Sequence, residues 1–135
     1  MKALHIKGTT DEPTVTFNHS TGELFMGGSS LPSNIVEFYE SVFCWIDDYK
    51  QQAPGKTHVE FNFEYLNSAS ANIVVRIIDS LQELVGFDKR ISFTWNYCTG
   101  DYDMKELALE LFDGTECQFE LVEVKEYYRY EPMAA

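Results

Sequence analysis

The strongest constraint on the fold is a change in the spacing of apolar residues between positions 57 and 85. Over residues 57–66, apolar and polar residues alternate, which is the period of a β-strand with one face toward water or at a sheet edge. Over residues 73–85, apolar residues recur at three- and four-residue steps, which predicts a helix that stops at Gly86. A strand followed closely by a helix is the repeating unit of α/β proteins.

Strand and helix patterns alternate along the rest of the chain as well. The predicted strands cover residues 4–6, 14–18, 23–27, 57–66, 90–97 and 119–124, and residues 27–34 are predicted as a loop. The predicted helices cover residues 35–51, 73–85 and about 103–114, the first capped by Ser33 or Asn34 and the third by the pair Asp103 and Glu106. Residues 14–18 and 23–27 form a hairpin. We therefore expect one α/β domain, in which a mixed β-sheet with an N-terminal hairpin carries about three main helices.

The charge balance restricts the partners of this chain. Its 135 residues include 22 Asp and Glu but only 10 Lys and Arg, a net charge of −12 with neutral His. Lys89 and Arg90 are the only adjacent basic pair, whereas nucleic acids and anionic membrane surfaces are bound by clustered cations. We therefore predict no nucleic acid partner and no membrane insertion. The opening residues hold no apolar run long enough for a signal peptide, so we expect a cytoplasmic protein.

Residue types that support metal binding or catalysis are scattered along the chain. The histidines and cysteines lack the short spacings of zinc ligands and stand at His5, His19, His58, Cys44, Cys98 and Cys117. The glycine motifs of phosphate-binding loops and the G-x-S-x-G motif of hydrolases are absent. We therefore predict no metal, no cofactor and no enzymatic activity.

Residues 67–72, Asn-Ser-Ala-Ser-Ala-Asn, connect the strand at 57–66 to the helix that follows, without glycine, proline or charge. One interpretation is helix capping, because Ser or Asn at an N-cap accepts a backbone hydrogen bond that contributes ~1 kcal/mol. The other is phosphorylation of a hydroxyl at the helix start, where free N–H groups and the positive end of the helix dipole receive a phosphate. The residues alone leave both interpretations open.

Short motifs distributed over residues 4–124 resemble the SiaC family of small bacterial regulatory phosphoproteins. The matching pieces are Leu4-His5-Ile6, Gly8-Thr9, Pro13, Gly22-x-Leu24-x-Met26-x-Gly28-x-Ser30-x-Pro32-x-Asn34, Trp45, Tyr65-Leu66-Asn67-Ser68-Ala69-Ser70 and Trp95-x-Tyr97. Each piece is weak alone, and the ordered set is specific. The resemblance implies a single STAS-like domain, similar to the anti-sigma-factor antagonists, over residues 1–126, followed by a C-terminal tail at 127–135.

The family's central pattern is Tyr-Leu-Asn-Thr-Ser-Ser, in which the threonine accepts the phosphate. Placed on this chain, that threonine corresponds to Ser68 and the last serine to Ser70. The resemblance therefore implies phosphorylation of Ser68, with Ser70 as the alternative acceptor. It also implies that the whole motif forms the partner interface, with the residues Tyr65, Leu66, Asn67, Ser68, Ala69 and Ser70.

The resemblance further implies partner switching without catalysis. In this family a Ser/Thr protein kinase of the histidine-kinase-like ATPase class phosphorylates the motif, and a PP2C-type phosphatase reverses the reaction. The unphosphorylated form binds and activates a diguanylate cyclase, which raises cyclic-di-GMP and favours biofilm formation. The alternative for this chain is a STAS-like ligand-binding or anti-sigma-factor-antagonist module without a cyclase output.

Overall fold

The structure of the protein, a computed structural model, describes residues 1–113, 115 and 117–127. The strands are β1 (Leu4–Ile6), β2 (Thr14–Asn18), β3 (Glu23–Ser30), β4 (Lys56–Leu66), β5 (Arg90–Cys98) and β6 (Phe119–Val124). The helices are α1 (Ile35–Gln52), α2 (Ser68–Gln82) and α3 (Tyr102–Phe112), with a 3-10 segment at Glu83–Phe87. These elements confirm the predicted mixed sheet with an N-terminal hairpin and three main helices.

The sheet of the described residues has its strands in chain order, from β1 at one edge to β6 at the other. β1, β2 and β3 pair antiparallel, whereas β3 to β6 pair parallel. Right-handed crossovers between successive parallel neighbours place α1, α2 and α3 on the same face. We call the opposite face the open face, and its central residues are His5, Thr16, Phe25, His58, Glu60, Asn62, Thr94 and Asn96.

Aromatic side chains fill the space between the sheet and the helices. Phe61 of β4 and Trp95 of β5 are paired in register, and their ring centroids lie 5.1 Å apart. Phe112 of α3 packs edge-on against Trp95 at 6.1 Å. Phe61 and Trp95 are 0% exposed and Phe112 is 3% exposed. Each such ring contributes ~1.5–3 kcal/mol through burial, so the core holds the strand ends and helix starts in fixed positions.

β4 lies between β3 and β5. Of the two interpretations of its alternating pattern, the edge strand is therefore wrong, and the strand with one wetter face is correct. Its alternation breaks near the carboxyl end. Glu64 has no counterpart in the register between Phe63, which pairs with Gly28, and Tyr65, which pairs with Ser29. This bulge shifts the alternation by one residue. Tyr65, predicted to face the same side as Phe63, is therefore 52% exposed, and Leu66 is buried instead.

β3 is longer than predicted. It continues to Ser30, through residues that the sequence predicted as a loop, because their backbone pairs with β4. Gly28 adopts a φ of 90°, a conformation that glycine takes at little cost. The following helix begins where expected, and Asn34 is its cap, with its side chain accepting from the Glu37 backbone N.

The ends of two helices also differ from the prediction. Asp101 caps α3 by accepting from the Met104 backbone N at 3.2 Å, so the predicted capping pair at 103 and 106 is wrong. The predicted end of that helix at Gly114 lies outside the described residues. The predicted stop at Gly86 is wrong as well, because the 3-10 segment runs past it and Asp88 takes the left-handed position with φ 58°.

Candidate functional site

The segment predicted as a turn at 67–72 is the start of α2, which begins at Ser68. Asn67 is the N-cap, and its Oδ1 accepts a hydrogen bond from the Ser70 backbone N at 2.8 Å. The backbone N–H of Asn67 donates to the Ser30 carbonyl at 3.2 Å. This bond ties the junction between β4 and α2, which we call the corner, to the end of β3. The predicted helix start at residue 73 is wrong because the small residues before Ile73 give no apolar period, although alanine favours a helix.

The two candidate phosphate acceptors differ in accessibility. Ser68 is exposed at the first position of α2. Ser70 is 0% exposed, and its Oγ accepts a hydrogen bond from Ser30 Oγ at 2.8 Å. Ser30 Oγ also lies 2.6 Å from the Tyr39 hydroxyl, and burial raises the pKa of Tyr39, which keeps the phenol neutral. A kinase can therefore reach Ser68 on the folded chain, whereas Ser70 becomes reachable only if the corner opens.

The six residues of the predicted interface differ in their exposure to solvent. The exposed ones are Tyr65, Ser68 and Ala69, the half-buried one is Asn67, and the buried ones are Leu66 and Ser70. The side chain of Asn67 is held in the cap, and the two buried side chains pack beneath the corner. The surface that a partner can contact in the folded protein is therefore narrower than the predicted interface.

The start of α2 is suited to an added negative charge. The first backbone N–H groups of a helix have no partner within the helix and carry the positive end of its dipole. The first turn of α2 contains no acidic residue, unlike that of α1 with Glu37 and that of α3 with Asp103. A phosphate on Ser68 would therefore meet the positive end of the helix dipole and no like charge within the turn.

Exposed apolar side chains lie at the same edge of the sheet. The carboxyl ends of β3, β4 and β5 meet at this edge, so the starts of α1, α2 and α3 lie there together. Four large side chains at this edge are between 38% and 76% exposed, namely Leu31, Val36, Tyr65 and Tyr102. We call these four residues the apolar rim. Clustered exposed apolar surface is typical of an interaction site.

Of the apolar rim, only Tyr65 was part of the interface predicted from the sequence, and the other three members were missed because they come from separate segments. One signal was available, since Val36 lies off the apolar stripe of the helix predicted at 35–51. Its 76% exposure confirms that it does not belong to the core.

Elsewhere in the described residues, the chemically versatile side chains do not converge. No group of three or more His, Cys, Asp or Glu in residues 1–113, 115 and 117–127 is placed to hold a metal ion. His5 is hydrogen-bonded to Thr16 at 3.1 Å, and His58 to Ser92 at 2.7 Å. In the same part of the chain, no helix has both the length and the apolar character needed to span a bilayer.

Sequence comparison relates the chain to proteins already known. The sequence model of the SiaC family, described as a family of regulatory phosphoproteins, matches residues 6–124. An uncharacterised protein of Pseudomonas aeruginosa strain UCBPP-PA14 is 29% identical over 119 residues, which cover 88% of this chain and 93% of that protein.

Solved structures share the fold. Apo-SiaC from Pseudomonas aeruginosa superposes with a TM-score of 0.81 and 27% identity, covering 90% of this chain and 99% of that one. A chain from the crystal structure of the diguanylate cyclase SiaD in complex with its activator SiaC, from the same species, gives a TM-score of 0.84 at 26% identity, with coverages of 90% and 99%. The motif and the fold agree with the family match over most of the length, and the chain belongs to the SiaC family of regulatory phosphoproteins.

Proposed function

We propose that this protein is a non-catalytic cytoplasmic regulator that binds and activates a diguanylate cyclase, and that phosphorylation of Ser68 releases the cyclase. A Ser/Thr protein kinase of the histidine-kinase-like ATPase class adds the phosphate, and a PP2C-type phosphatase removes it. The observation that carries the proposal is the position of Ser68, which is exposed at the first residue of α2, on the edge that carries the apolar rim. The complex of SiaD with its activator SiaC supports a cyclase as the partner.

The unmodified corner presents an uncharged surface. A partner can cover Tyr65, Ser68 and Ala69 together with the apolar rim without burying a charge of the corner itself. A phosphate adds about −1.5 to −2 charges at neutral pH. Burying it opposite a partner surface without a cation costs several kcal/mol, and a loss of ~3 kcal/mol weakens binding on the order of a hundredfold.

The phosphate should leave the fold intact while it blocks the partner. A negative group at a helix N-terminus stabilises the helix by about 0.3–1 kcal/mol. The buried hydroxyls of Ser30, Tyr39 and Ser70 lie beneath the corner and do not need to move. The switch therefore acts on the surface offered to the cyclase rather than by unfolding α2.

The test is a calorimetric titration of a SiaD-type cyclase with the unmodified chain, the Ser68-phosphorylated chain and the Ser68→Glu variant, together with cyclic-di-GMP production. We expect the unmodified chain to bind and activate, the phosphorylated chain to bind about a hundredfold more weakly, and Ser68→Glu to be intermediate, because it adds a single charge. Ser20→Glu is the matched control. It adds the same charge at an exposed serine in the β2–β3 turn, at the opposite end of the sheet, and should bind like the wild type.

Intact-mass analysis after incubation with the kinase and ATP identifies the acceptor. Ser68→Ala should abolish the added phosphate and Ser70→Ala should retain it. The reverse result would move the acceptor to Ser70. Equal cyclase affinity of the phosphorylated and unmodified chains would refute the switch. If the unmodified chain bound no cyclase, the ligand-binding or anti-sigma-factor-antagonist module would become the better assignment.

A further inference from the structure

We propose that Ser30 determines which serine of the corner accepts the phosphate, because its buried hydroxyl holds Ser70 out of reach of the kinase. This inference rests on the proposed function and deepens it, since it assigns the choice between Ser68 and Ser70 to a residue outside the central motif. Ser30 ends β3, forty positions before Ser70. Ser30 is 0% exposed, so it acts through Ser70 as a positioning residue and contacts neither the kinase nor ATP.

The two serines carry the same nucleophile, so the chemistry of the transfer does not choose between them. The reaction forms a bond from the serine Oγ to the γ-phosphorus of ATP and breaks the bond from that phosphorus to the β–γ bridging oxygen. It releases ADP and the hydroxyl proton, and the Oγ must approach in line with the leaving oxygen. Ser68 is exposed and can do so, whereas Ser70 is 0% exposed. Ser70 therefore reacts only in molecules whose first turn of α2 has opened.

Opening of this turn breaks hydrogen bonds of two kinds. Within the turn, the Ser70 N–H donates to Asn67 Oδ1 at 2.8 Å, and the Ala71 N–H donates to the Asn67 carbonyl at 2.9 Å. Between the turn and the sheet, the Asn67 N–H donates to the Ser30 carbonyl at 3.2 Å, and Ser30 Oγ donates to Ser70 Oγ at 2.8 Å. Both bonds of the second kind end on Ser30, so Ser30 is the point at which β3 holds the turn closed.

Tyr39 holds the Ser30 hydroxyl from the other side. Its own hydroxyl lies 2.6 Å from Ser30 Oγ. Because Ser30 donates its proton to Ser70, the phenol must donate the proton that it shares with Ser30. Burial raises the pKa of Tyr39, which keeps this donor protonated at neutral pH. The hydroxyl of Ser70 is thus linked through Ser30 to α1 as well as to β3.

A phosphate on Ser70 would affect the fold differently from one on Ser68. Closing the turn over it would bury the added charge among the neutral hydroxyls of Ser30 and Tyr39, which is costly, so the turn would stay open. A phosphate on Ser68 lies outside this packing and leaves α2 intact. By keeping Ser70 closed, Ser30 directs phosphorylation to the serine at which the folded structure tolerates it.

The test compares phosphate uptake in Ser68→Ala and in the double variant Ser30→Ala, Ser68→Ala, with the kinase and ATP, by intact mass and site mapping over time. The first chain should gain almost no phosphate. In the second, Ser70 should be phosphorylated on the order of tenfold faster, because a buried hydroxyl that loses its partner raises the open fraction of the turn. In Ser30→Ala alone, the rate at Ser68 should equal that of the wild type.

Thr57→Val in the Ser68→Ala chain is the matched control. Thr57 Oγ1 lies 2.6 Å from the Tyr49 hydroxyl, and both residues are 0% exposed, so this change also removes the partner of a buried hydroxyl. Thr57 lies near the start of β4, whereas the corner follows its end. The control should lose stability without any gain of phosphate on Ser70, which separates local opening from general unfolding.

Amide hydrogen exchange measures the opening without a kinase. The N–H groups of Ser70 and Ala71 should exchange on the order of tenfold faster in Ser30→Ala than in the wild type, and at the wild-type rate in Thr57→Val. Asn67→Ala serves if Ser30→Ala does not fold. It loosens the same turn by removing the cap, and exchange at Ala71 should rise roughly fivefold.

Two outcomes would overturn the role of Ser30. One is unchanged exchange at Ala71 with Ser70 still unmodified in the Ser30 variant. The other is an equal gain of phosphate in the Thr57 control, because the acceptor would then depend on overall stability. A different outcome would refute the proposed switch alone, namely a wild-type chain that the kinase does not phosphorylate, with faster exchange in Ser30→Ala. That result would still support the hold of Ser30 on Ser70.

Discussion

Ser30 is the centre of a buried chain of hydroxyl groups, and its removal should cost more stability than removal of either end. Its Oγ lies 2.6 Å from the Tyr39 hydroxyl and 2.8 Å from Ser70 Oγ. Ser30 and Ser70 are 0% exposed, and Tyr39 is 1% exposed. Ser30→Ala therefore removes a partner from two buried hydroxyls at once. Ser70→Ala and Tyr39→Phe each leave the other hydrogen bond in place.

The magnitudes follow from this difference. A buried hydrogen bond lost together with its polar group costs ~1 kcal/mol, the cost expected for Ser70→Ala and for Tyr39→Phe. A buried hydroxyl that loses its partner costs about 1–3 kcal/mol, and Ser30→Ala removes the partner of two, for a total of about 2–6 kcal/mol. For a chain of this size, 1 kcal/mol lowers Tm by roughly 3–4 °C, so a loss of ~3 kcal/mol corresponds to roughly 10 °C.

The assay is urea unfolding of the wild type and the three single variants, with Tm from calorimetry as a second measure. The triple variant Ser30→Ala, Tyr39→Phe, Ser70→Ala is the decisive control, because it removes every member of the chain and leaves no orphaned hydroxyl. It should be more stable than Ser30→Ala alone by ~1 kcal/mol or more, since apolar replacement of both partners is nearly neutral. This account would be refuted if Ser30→Ala were at least as stable as Ser70→Ala. It would also be refuted if the triple variant lost the sum of the free energies of unfolding lost by the three single variants.

Two further predictions concern the apolar rim and the buried tyrosines. Val36→Ser and Tyr102→Ser should weaken cyclase binding severalfold in calorimetry while changing the free energy of unfolding by less than ~0.5 kcal/mol, because both side chains are exposed; a matching loss of stability would contradict an interface role. Burial raises the pKa of Tyr39 above its ordinary value of 10.0, and burial with the hydrogen bond to Asp101 raises that of Tyr127. The unfolded chain then loses these protons first, so the free energy of unfolding should fall as pH rises above ~10, and less steeply in Tyr39→Phe; equal urea midpoints at pH ~9 and ~11 would contradict this.

Periodicity predicted the elements of the fold but not the corner at which the candidate site lies. The apolar stripe of α2 begins at Ile73, whereas the helix begins at Ser68, where the Asn67 side chain caps it by accepting from the Ser70 N–H. Capping is a local contact of one residue and leaves no periodic trace in the sequence. The same reason explains the miss at Asp101, which caps α3 two residues before the predicted pair.

Which residues of the motif are exposed could not be predicted from the sequence either. The bulge at Glu64 reverses which of Tyr65 and Leu66 faces the solvent, and the backbone register that produces it depends on Gly28 in another strand. The burial of Ser70 depends on Ser30, forty positions earlier. A motif match shows only which residues follow one another. The difference in exposure between Ser68 and Ser70 depends on long-range packing.

The strand order has a consequence for the synthesis of the chain. Each strand pairs with the strand synthesised just before it, so its partner has already left the ribosome when the strand emerges. The sheet can therefore form strand by strand, from β1 toward β6, during synthesis. Ser30 is already made when Asn67 emerges to bond with it, so the corner around Ser68 can form early. Tyr102 emerges later, and the nascent molecule therefore exposes the Ser68 hydroxyl before the surrounding surface is complete.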